Sequence, residues 1–313
     1  MKVIFMGTHQ FAVKILEKIL EKHEVVLVVT QPDSFVGRKK ILTPSAVKEC
    51  ALRHNLEVFQ PVKLNLERDK ILNTECDIIV TAAYGQIVGT RILNYPKYGC
   101  INVHGSLLPY HRGGAPIQRA IINGDKKTGI TIMYMAKGMD SGDIITQREC
   151  EILDSYTNGD LFEVLSQMGS EMILDTLDQI EKGTNPRIKQ DESLATYSYN
   201  LTKEDELVTF DKEAKAVYNQ IRGLNPNPGA FFVINNMKFK VFSSEVSDKT
   251  HNKEVGIITN VTKTSFDVTC LNNTLITFTE LVPEGKRLMS VRDYLNGSGK
   301  NIIVEGNKLL SLD

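Results

Sequence analysis

The chain has 313 residues, 42% of them hydrophobic and 24% charged, with 37 Lys and Arg set against 38 Asp and Glu. That length is about twice an ordinary domain, so two domains are expected, and the balance excludes a mainly disordered chain. A formal charge of -1 argues against a uniformly basic body that grips nucleic acid, while leaving open a local basic patch, which net charge does not reveal.

Lys2–Met6 reads as a buried strand ended by Gly7-Thr8, after which Val13, Leu16, Ile19 and Leu20 recur at helical spacing. Glu24–Thr30 is a second buried strand, followed by the loop Gln31–Leu42. Thr43 as N-cap, with Pro44 at the first helical position, predicts the start of the next helix. Val58-Phe59, Asp77–Ala82 and Gly99–His104 supply further strands with helical segments between them, and Gly129–Met135 is strand-like. Continuous apolar strands alternating with helices argue for a doubly wound α/β domain around a mostly parallel sheet.

Asn158–Lys182 is the longest helical pattern, with Leu161, Leu165, Met168, Met172 and Ile173 on one stripe, and it is expected to close a first domain over residues 1–183. Residues 184–205 lose periodicity and are expected to form a linker. The second domain, 206–313, opens with a short helix over Asp211–Arg222. Ala230–Val233, Met237–Phe242, Gly256–Val261, Ser265–Cys270 and Thr274–Leu281 then read as strands joined by turns such as Asn235-Asn236 and Asn272-Asn273. Such a series predicts a small barrel or sandwich.

Cys50, Cys76, Cys100, Cys150 and Cys270 are scattered and form no Cys-x-x-Cys pair. A disulfide framework or thiolate zinc site is therefore disfavoured, and a reducing interior is expected. The opening Met-Lys-Val-Ile-Phe-Met-Gly is too short for a signal-peptide core, and no apolar run approaches the roughly 20 residues that cross a bilayer. A cytoplasmic protein with no membrane partner is the expectation.

The stretch Cys100–Pro109 carries the most chemistry. On a strand, Asn102 and His104 share one side and Ile101 and Val103 the other. Two polar side chains on a buried strand need partners or a task. Gly105 ends the strand at its carboxyl edge, where open α/β sheets bind ligands. An amide that donates and an imidazole that titrates near neutrality suit attack on a carbonyl, one stabilising the oxyanion and the other handling a proton. From the residues alone, a satisfied polar pair at a strand end is an equal alternative.

Two acids, Asp140 and Asp143, lie in the Gly-bounded loop Lys137–Asp143 and could orient a histidine from a neighbouring strand. Gly, Asp and Ser are also ordinary turn formers, so a purely structural loop is the stronger reading there. Tyr110–Ala120 joins a glycine pair to a proline-initiated helix, as either an anion clamp or a plain helix start. Arg38, Lys39 and Lys40 form a basic finger suited to phosphates, or a solvated loop. Residues 203–313 hold 14 basic and 14 acidic residues, so the second domain offers no bulk charge for RNA. Gly7-Thr8-His9-Gln10-Phe11 lacks the Gly-x-Gly-x-x-Gly spacing and disfavours a nicotinamide cofactor.

Taken together, Asn102–Pro109 followed by Arg112-Gly113 and Ala115-Pro116-Ile117-Gln118 resembles the signature of the folate-dependent formyltransferases. Gly138–Asp143 is similar to that family's second active-site loop. Phe5–Thr8, Thr30–Asp33, Gly37-Arg38, Leu42–Ser45, Val58–Pro61, Ile221-Arg222, Asn225-Pro226 with Pro228-Gly229, and Gly285-Lys286 through Met289-Ser290 extend the likeness over nearly the whole chain. The departures are His9-Gln10 in place of a common Pro-Asp, Ser34-Phe35 in place of Arg-Pro, and Asn227 where tryptophan is frequent.

The resemblance implies transfer of a formyl group from 10-formyltetrahydrofolate, released as tetrahydrofolate and without a metal, to the α-amine of methionyl initiator tRNA. By motif it makes Asn102, His104 and Asp140 the catalytic trio: Asn102 and His104 for the oxyanion, Asp140 to hold and polarise His104 and assist proton transfer. It places Ser106, Leu107, Leu108 and Pro109 on the folate, with the turn Tyr84, Gly85, Gln86, Ile87 and Val88 lining its pocket. It assigns Arg38, Lys39 and Lys40 to the tRNA acceptor end, and it gives the second domain an OB-fold-like barrel that holds the tRNA body. A monomer is expected. A formyltransferase for a small amine, such as an amino-sugar nucleotide or glycinamide ribonucleotide, would need neither the basic loop nor the barrel. A non-catalytic RNA-binding protein fits poorly with an intact trio, and a Rossmann dehydrogenase with the absent glycine fingerprint.

Overall fold

Apolar strands that bury both faces pair best in parallel with helices packed above and below them. The computed structural model, which describes residues 1–37 and 40–309, follows that rule through its first half. β1 (Lys2–Gly7) leads through α1 (Gln10–Leu20) to β2 (Glu24–Val29), and a hairpin of β3 (Ser34–Val36) and β4 (Ile41–Thr43) precedes α2 (Ala46–Arg53). β5 (Val58–Phe59), α3 (Asp69–Leu72), β6 (Ile78–Ala82), α4 (Thr90–Leu93) and β7 (Cys100–His104) follow. Then come α5 (Pro116–Asn123), β8 (Lys127–Tyr134), β9 (Ile144–Glu151) and α6 (Asn158–Lys182).

The sheet order is β5-β2-β1-β6-β7-β8-β9. Neighbours from β5 to β7 are parallel, whereas β8 and β9 are antiparallel additions at the edge. The order reverses between β1 and β6, so their carboxyl ends flank the crevice where such sheets take ligands. One compact unit comprises Met1–Pro116, Lys127–Glu151 and Phe162–Tyr199; the other comprises Ile117–Lys126, Ile152–Leu161 and the chain from Asn200.

The mostly parallel α/β sheet and the long helix over Asn158–Lys182 agree with the sequence reading. Two local features differ. The α2 N-cap is Ser45, not Thr43: the Ser45 hydroxyl accepts from the Lys48 amide at 3.0 Å, while Thr43 ends β4 and donates its hydroxyl to the Ile41 carbonyl at 3.0 Å. β9 was not expected, because after Ile144 and Ile145 the strand turns polar, as an edge strand does.

In the second unit, α7 (Lys203–Glu206) and α8 (Ala214–Gly223) precede β10 (Ala230–Ile234), β11 (Met237–Ser247), β12 (Ile258–Thr259), β13 (Phe266–Thr269), β14 (Leu275–Pro283), β15 (Met289–Ser290) and α9 (Val291–Leu295). The strands pair antiparallel in the order β10-β11-β14-β13-β12, with β15 added to β14. Register shifts near Ser243 bend β11 so that the sheet curls as a half-barrel around an aromatic core. Phe232 is central, with Phe210, Phe239, Phe266 and Phe278 at centroid distances of 5.2 to 6.4 Å. Among the described residues no helix is long and apolar enough to cross a membrane. All five cysteines are free, and burial pushes the Cys50 and Cys76 thiols up to about 11.

Because Phe232 is fully buried against four rings, Phe232→Ala removes both transfer free energy and packing. The expected loss is about 3–5 kcal/mol of second-unit stability, read as a lower denaturant midpoint in an unfolding titration.

Candidate active site

β7 lies between β6 and β8, with Asn102 opposite Thr81 and His104 opposite Thr131. This register brings the Thr81 hydroxyl to 2.8 Å from Asn102 Oδ1. The amide is thereby oriented, and its Nδ2 donor has no hydrogen-bond partner among the described residues. His104 is held in a matching way: its Nε2 sits 3.0 Å from the His111 carbonyl. A carbonyl only accepts, so Nε2 carries the hydrogen and Nδ1 is the atom left for chemistry. Nδ1 faces Asp140, whose Oδ2 is 3.8 Å away. Each polar side chain of β7 therefore has one end anchored and one end available, which decides against a fully satisfied structural pair.

Asp140 arrives on the loop between β8 and β9, in a left-handed conformation at φ 45°. The Gly113 amide donates to its Oδ2 at 2.8 Å. Gly113 has φ 125°, and a Cβ there would lie 2.6 Å from the Ser198 carbonyl. Gly142 is equally constrained, since a Cβ would overlap the Tyr134 carbonyl. The second acid of the loop, Asp143, is engaged elsewhere, with Arg187 Nε at 3.1 Å.

The loop is buttressed by Arg112, which is 1% exposed. Its guanidinium donates to both Glu192 carboxylate oxygens at 2.8 Å and to Gln190 Oε1 at 2.8 and 3.1 Å. These bonds hold the Glu192 carboxyl below its usual range. They also leave no free face for an anion, so of the two readings of Tyr110–Ala120 the structural one fits Arg112. The Gln190 amide donates in turn to the Asp140 and Gly142 carbonyls at 2.7 and 2.8 Å. Residues 196–198 run beside the same segment: Arg112 donates its amide to the Thr196 carbonyl at 2.8 Å and accepts at its carbonyl from the Ser198 amide at 2.7 Å.

Ser106–Pro109 lies just beyond β7. The Ser106 and Leu108 side chains are buried, and the Ser106 hydroxyl donates to the Tyr110 carbonyl at 2.7 Å. Leu107 and Pro109 are half-buried. The Thr131 hydroxyl donates to the Ser106 carbonyl at 2.6 Å, and Gln147 donates to the Leu108 carbonyl at 2.8 Å. In the turn after β6, the Tyr84 and Val88 side chains join the core, where burial raises the Tyr84 phenol. The Gln86 side chain is bonded to the Leu64 amide, the Pro61 carbonyl and Gln31. Gly85 is exposed, and Ile87 is 84% exposed. Lys40 is exposed at the tip of the β3–β4 hairpin with φ 46°, while Arg38 and Lys39 lie outside the described residues.

Sequence reasoning missed Thr81, Gln190 and the 196–198 segment. Thr81 carried a usable signal, being a polar residue inside an apolar strand. Gln190 and residues 196–198 sit in the aperiodic 184–205 stretch, whose packing no periodicity reports.

The sequence model described as formyl transferase matches residues 1–177, and that described as formyl transferase, C-terminal domain, matches 200–299. A protein of Bacillus mycoides (strain KBAB4) named methionyl-tRNA formyltransferase is 47% identical over 312 residues, covering 99% of this chain and 98% of its own. One of the same name from Latilactobacillus sakei subsp. sakei (strain 23K) is 45% identical, covering 96% of each. Among solved structures, WlaRD, a sugar 3N-formyl transferase crystallised with dTDP and 5-N-formyl-THF, superposes with a TM-score of 0.69 at 21% identity, covering 92% of this chain and 99% of that one. An N-formyltransferase from Helicobacter canadensis, in complex with folinic acid and dTDP-3-aminofucose, gives 0.69 at 20% identity, covering 89% and 98%. At these identities the structural likeness speaks for the fold alone.

Gln190→Ala deletes the two bonds that tie down the Asp140 and Gly142 carbonyls. At about 1 kcal/mol each, their loss should let the 138–143 loop open roughly 10- to 100-fold more often. Hydrogen–deuterium exchange of peptides spanning that loop should show the change, with unaltered exchange in β1 and β2.

Proposed function

The chain belongs to the formyl transferase family, and we propose that it transfers the formyl group of 10-formyltetrahydrofolate to the α-amino group of methionyl initiator tRNA. The observation that carries the chemistry is the half-anchored pair on β7, Asn102 and His104, with the Asp140 carboxylate 3.8 Å from the imidazole. The near-full-length relatives named for this acceptor support the choice of substrate.

The donor presents a formyl carbon on N10, and the methionyl amine attacks it. As the new C–N bond forms, negative charge develops on the formyl oxygen. Asn102 Nδ2, oriented in advance by Thr81, supplies a donor at no reorganisation cost. His104 can take a proton only at Nδ1, because Nε2 is committed to the His111 carbonyl. The resulting imidazolium sits against Asp140, whose charge stabilises it. That proton is the one shed by the attacking amine, moved with the assistance of Asp140, and the same proton is given up to N10 as the bond between N10 and the formyl carbon breaks. The products are tetrahydrofolate and the formylated aminoacyl ester, with atoms and charge conserved.

Folate binding falls to the carboxyl edge of the sheet. Ser106–Pro109 would contact the donor largely through backbone, since Ser106 and Leu108 point inward. In the 84–88 turn, Ile87 offers an exposed apolar side chain for the donor's aromatic part. For the tRNA, the β3–β4 hairpin presents exposed Phe35, Ile41 and Leu42 beside Lys40, with Arg38 and Lys39 adjacent in sequence. In the second unit, Lys263, Arg292 and Lys300 line a cavity of about 740 Å³ whose lining, among the described residues, contains no carboxylate. A domain neutral in sum thus concentrates cations in one place, which suits phosphates of the tRNA body. We assign residues 1–183 to catalysis, 184–205 to a connecting stretch whose residues 188–198 support the catalytic loops, and 206–313 to tRNA binding, in a cytoplasmic monomer.

Asp140→Ala should lower kcat by roughly 10²–10⁴ in a formylation assay with methionyl initiator tRNA, with KM for the folate donor little changed. A rate within a few-fold of the parent would refute its proton-handling role. Alanine at Lys263, Arg292 and Lys300 together should raise KM for tRNA and flatten its dependence on salt by up to about three counterions, leaving the donor KM unaltered. Alanine at Arg38 and Lys40 should act in the same direction. A change confined to the donor would remove both surfaces from the tRNA footprint.

A further inference from the structure

Tyr197 and Tyr199 flank Ser198 on the extended segment beside the 110–113 loop. Ser198 is buried and its hydroxyl lies 2.7 Å from His111 Nδ1, whereas the two tyrosines are 52% and 63% exposed. Residues two apart on extended chain share a side, and here the rings lie parallel, 8° between planes, with centroids 5.9 Å apart. Tyr197 forms a backbone bridge with Arg112, whose amide donates to the Thr196 carbonyl at 2.8 Å and whose carbonyl accepts from the Ser198 amide at 2.7 Å. The next residue along, Gly113, holds the Asp140 carboxylate. An exposed aromatic pair is therefore fixed, through two consecutive residues, to the group that handles the proton.

We propose that Tyr197 and Tyr199 form a stacking platform for an unpaired base at the 3′ end of the acceptor tRNA. The inference rests on the acceptor assigned above. It follows from how that acceptor is built: the reacting amine is joined through one ester to the terminal ribose, so the base on that ribose, or its neighbour, must lie on a surface bordering the site. Two parallel rings offer such a base a flat π-face without demanding a particular sequence. Both rings arrive pre-ordered, so little side-chain entropy is lost on binding. The platform would position the ester and hence the amine, acting through the substrate and not on the formyl group itself.

The test uses the full-length enzyme with Tyr197→Leu and Tyr199→Leu, singly and together, and the double Phe variant. Leucine keeps apolar bulk and removes the π-face; phenylalanine keeps the π-face. The double Leu variant should raise KM for methionyl tRNA by roughly 5- to 150-fold, the range that stacking one base contributes, with donor KM unchanged. The double Phe variant should stay within about twofold of the parent, since stacking does not need the hydroxyl. In a second measurement, 2-aminopurine is placed in turn at each unpaired 3′ position of uncharged tRNA. Its fluorescence should be quenched at one of them on binding the parent and the Phe variant, but not the Leu variant. Equal quenching and equal tRNA KM in parent and Leu variant would overturn the platform while leaving the acceptor assignment intact. A rise in donor KM would overturn it in favour of folate stacking. A parent enzyme that formylates no tRNA would overturn the acceptor assignment and the platform with it.

Discussion

One backbone hydrogen bond, from the Gly113 amide to Asp140 Oδ2, sets where the carboxylate stands relative to His104. The bond joins two loops that leave the sheet from different strands, β7 and β8. Its geometry holds only if both loops are held independently. On one side, the 110–113 segment is pinned by paired backbone bonds to Thr196 and Ser198. On the other, the Gln190 amide grips the Asp140 and Gly142 carbonyls. Arg112 connects the two supports, because the guanidinium that anchors Gln190 belongs to the residue preceding Gly113. A buried arginine of this kind is costly to desolvate, and four hydrogen bonds to Gln190 and Glu192 offset that cost. Its contribution is to geometry more than to net stability.

The parts of this arrangement that reveal themselves in sequence are those with a repeat or a strong local rule. β1, β2, β6 and β7 read as apolar runs, α6 as a 25-residue helical stripe, and the strands of the second unit as short segments between turns such as Asn235-Asn236 and Asn272-Asn273. Alternation alone puts Asn102 and His104 on one side of β7. That Asp140 meets His104 while Asp143 does not is set by a turn conformation and by Arg187, neither of which has a period. The resemblance singled out Asp140; the residues by themselves left two acids. Thr81 orients Asn102 through strand register, which depends on how β6 and β7 align in space. The 184–205 stretch looked like a linker because it is polar and aperiodic, yet its residues 188–198 carry a bridge to Ile144 and the bonds that hold both active-site loops. Irregular segments pack through specific hydrogen bonds, and those leave no repeating mark in composition.

The same supports account for where the backbone departs from easy conformations. Ala83, His111 and Asp140 all have positive φ, at 45°, 59° and 45°, and each follows a strand at the working edge of the sheet. A non-glycine residue held there costs of order 1–3 kcal/mol, so three of them together would undo a weakly held loop. Each is instead overdetermined by neighbours. Ala83 precedes Tyr84, whose carbonyl accepts from Thr8 and Gln31 at 2.8 and 3.3 Å. His111 is fixed through its amide to Thr196 and its ring to Ser198. Asp140 is fixed through its carboxylate to Gly113 and its carbonyl to Gln190.

The strain at His111 and at Asp140 serves one end. The left-handed turn at 111 presents the carbonyl that His104 Nε2 needs, and the turn at 140 aims the carboxylate at the other ring nitrogen. Relaxing either residue to an ordinary conformation would free one side of the imidazole and let the ring rotate. Proton transfer to a defined nitrogen requires that it not rotate. The local conformational cost is therefore inseparable from the tautomer that the proposed chemistry requires, and the hydrogen bonds around Arg112 offset it without occupying His104 Nδ1 or Asn102 Nδ2.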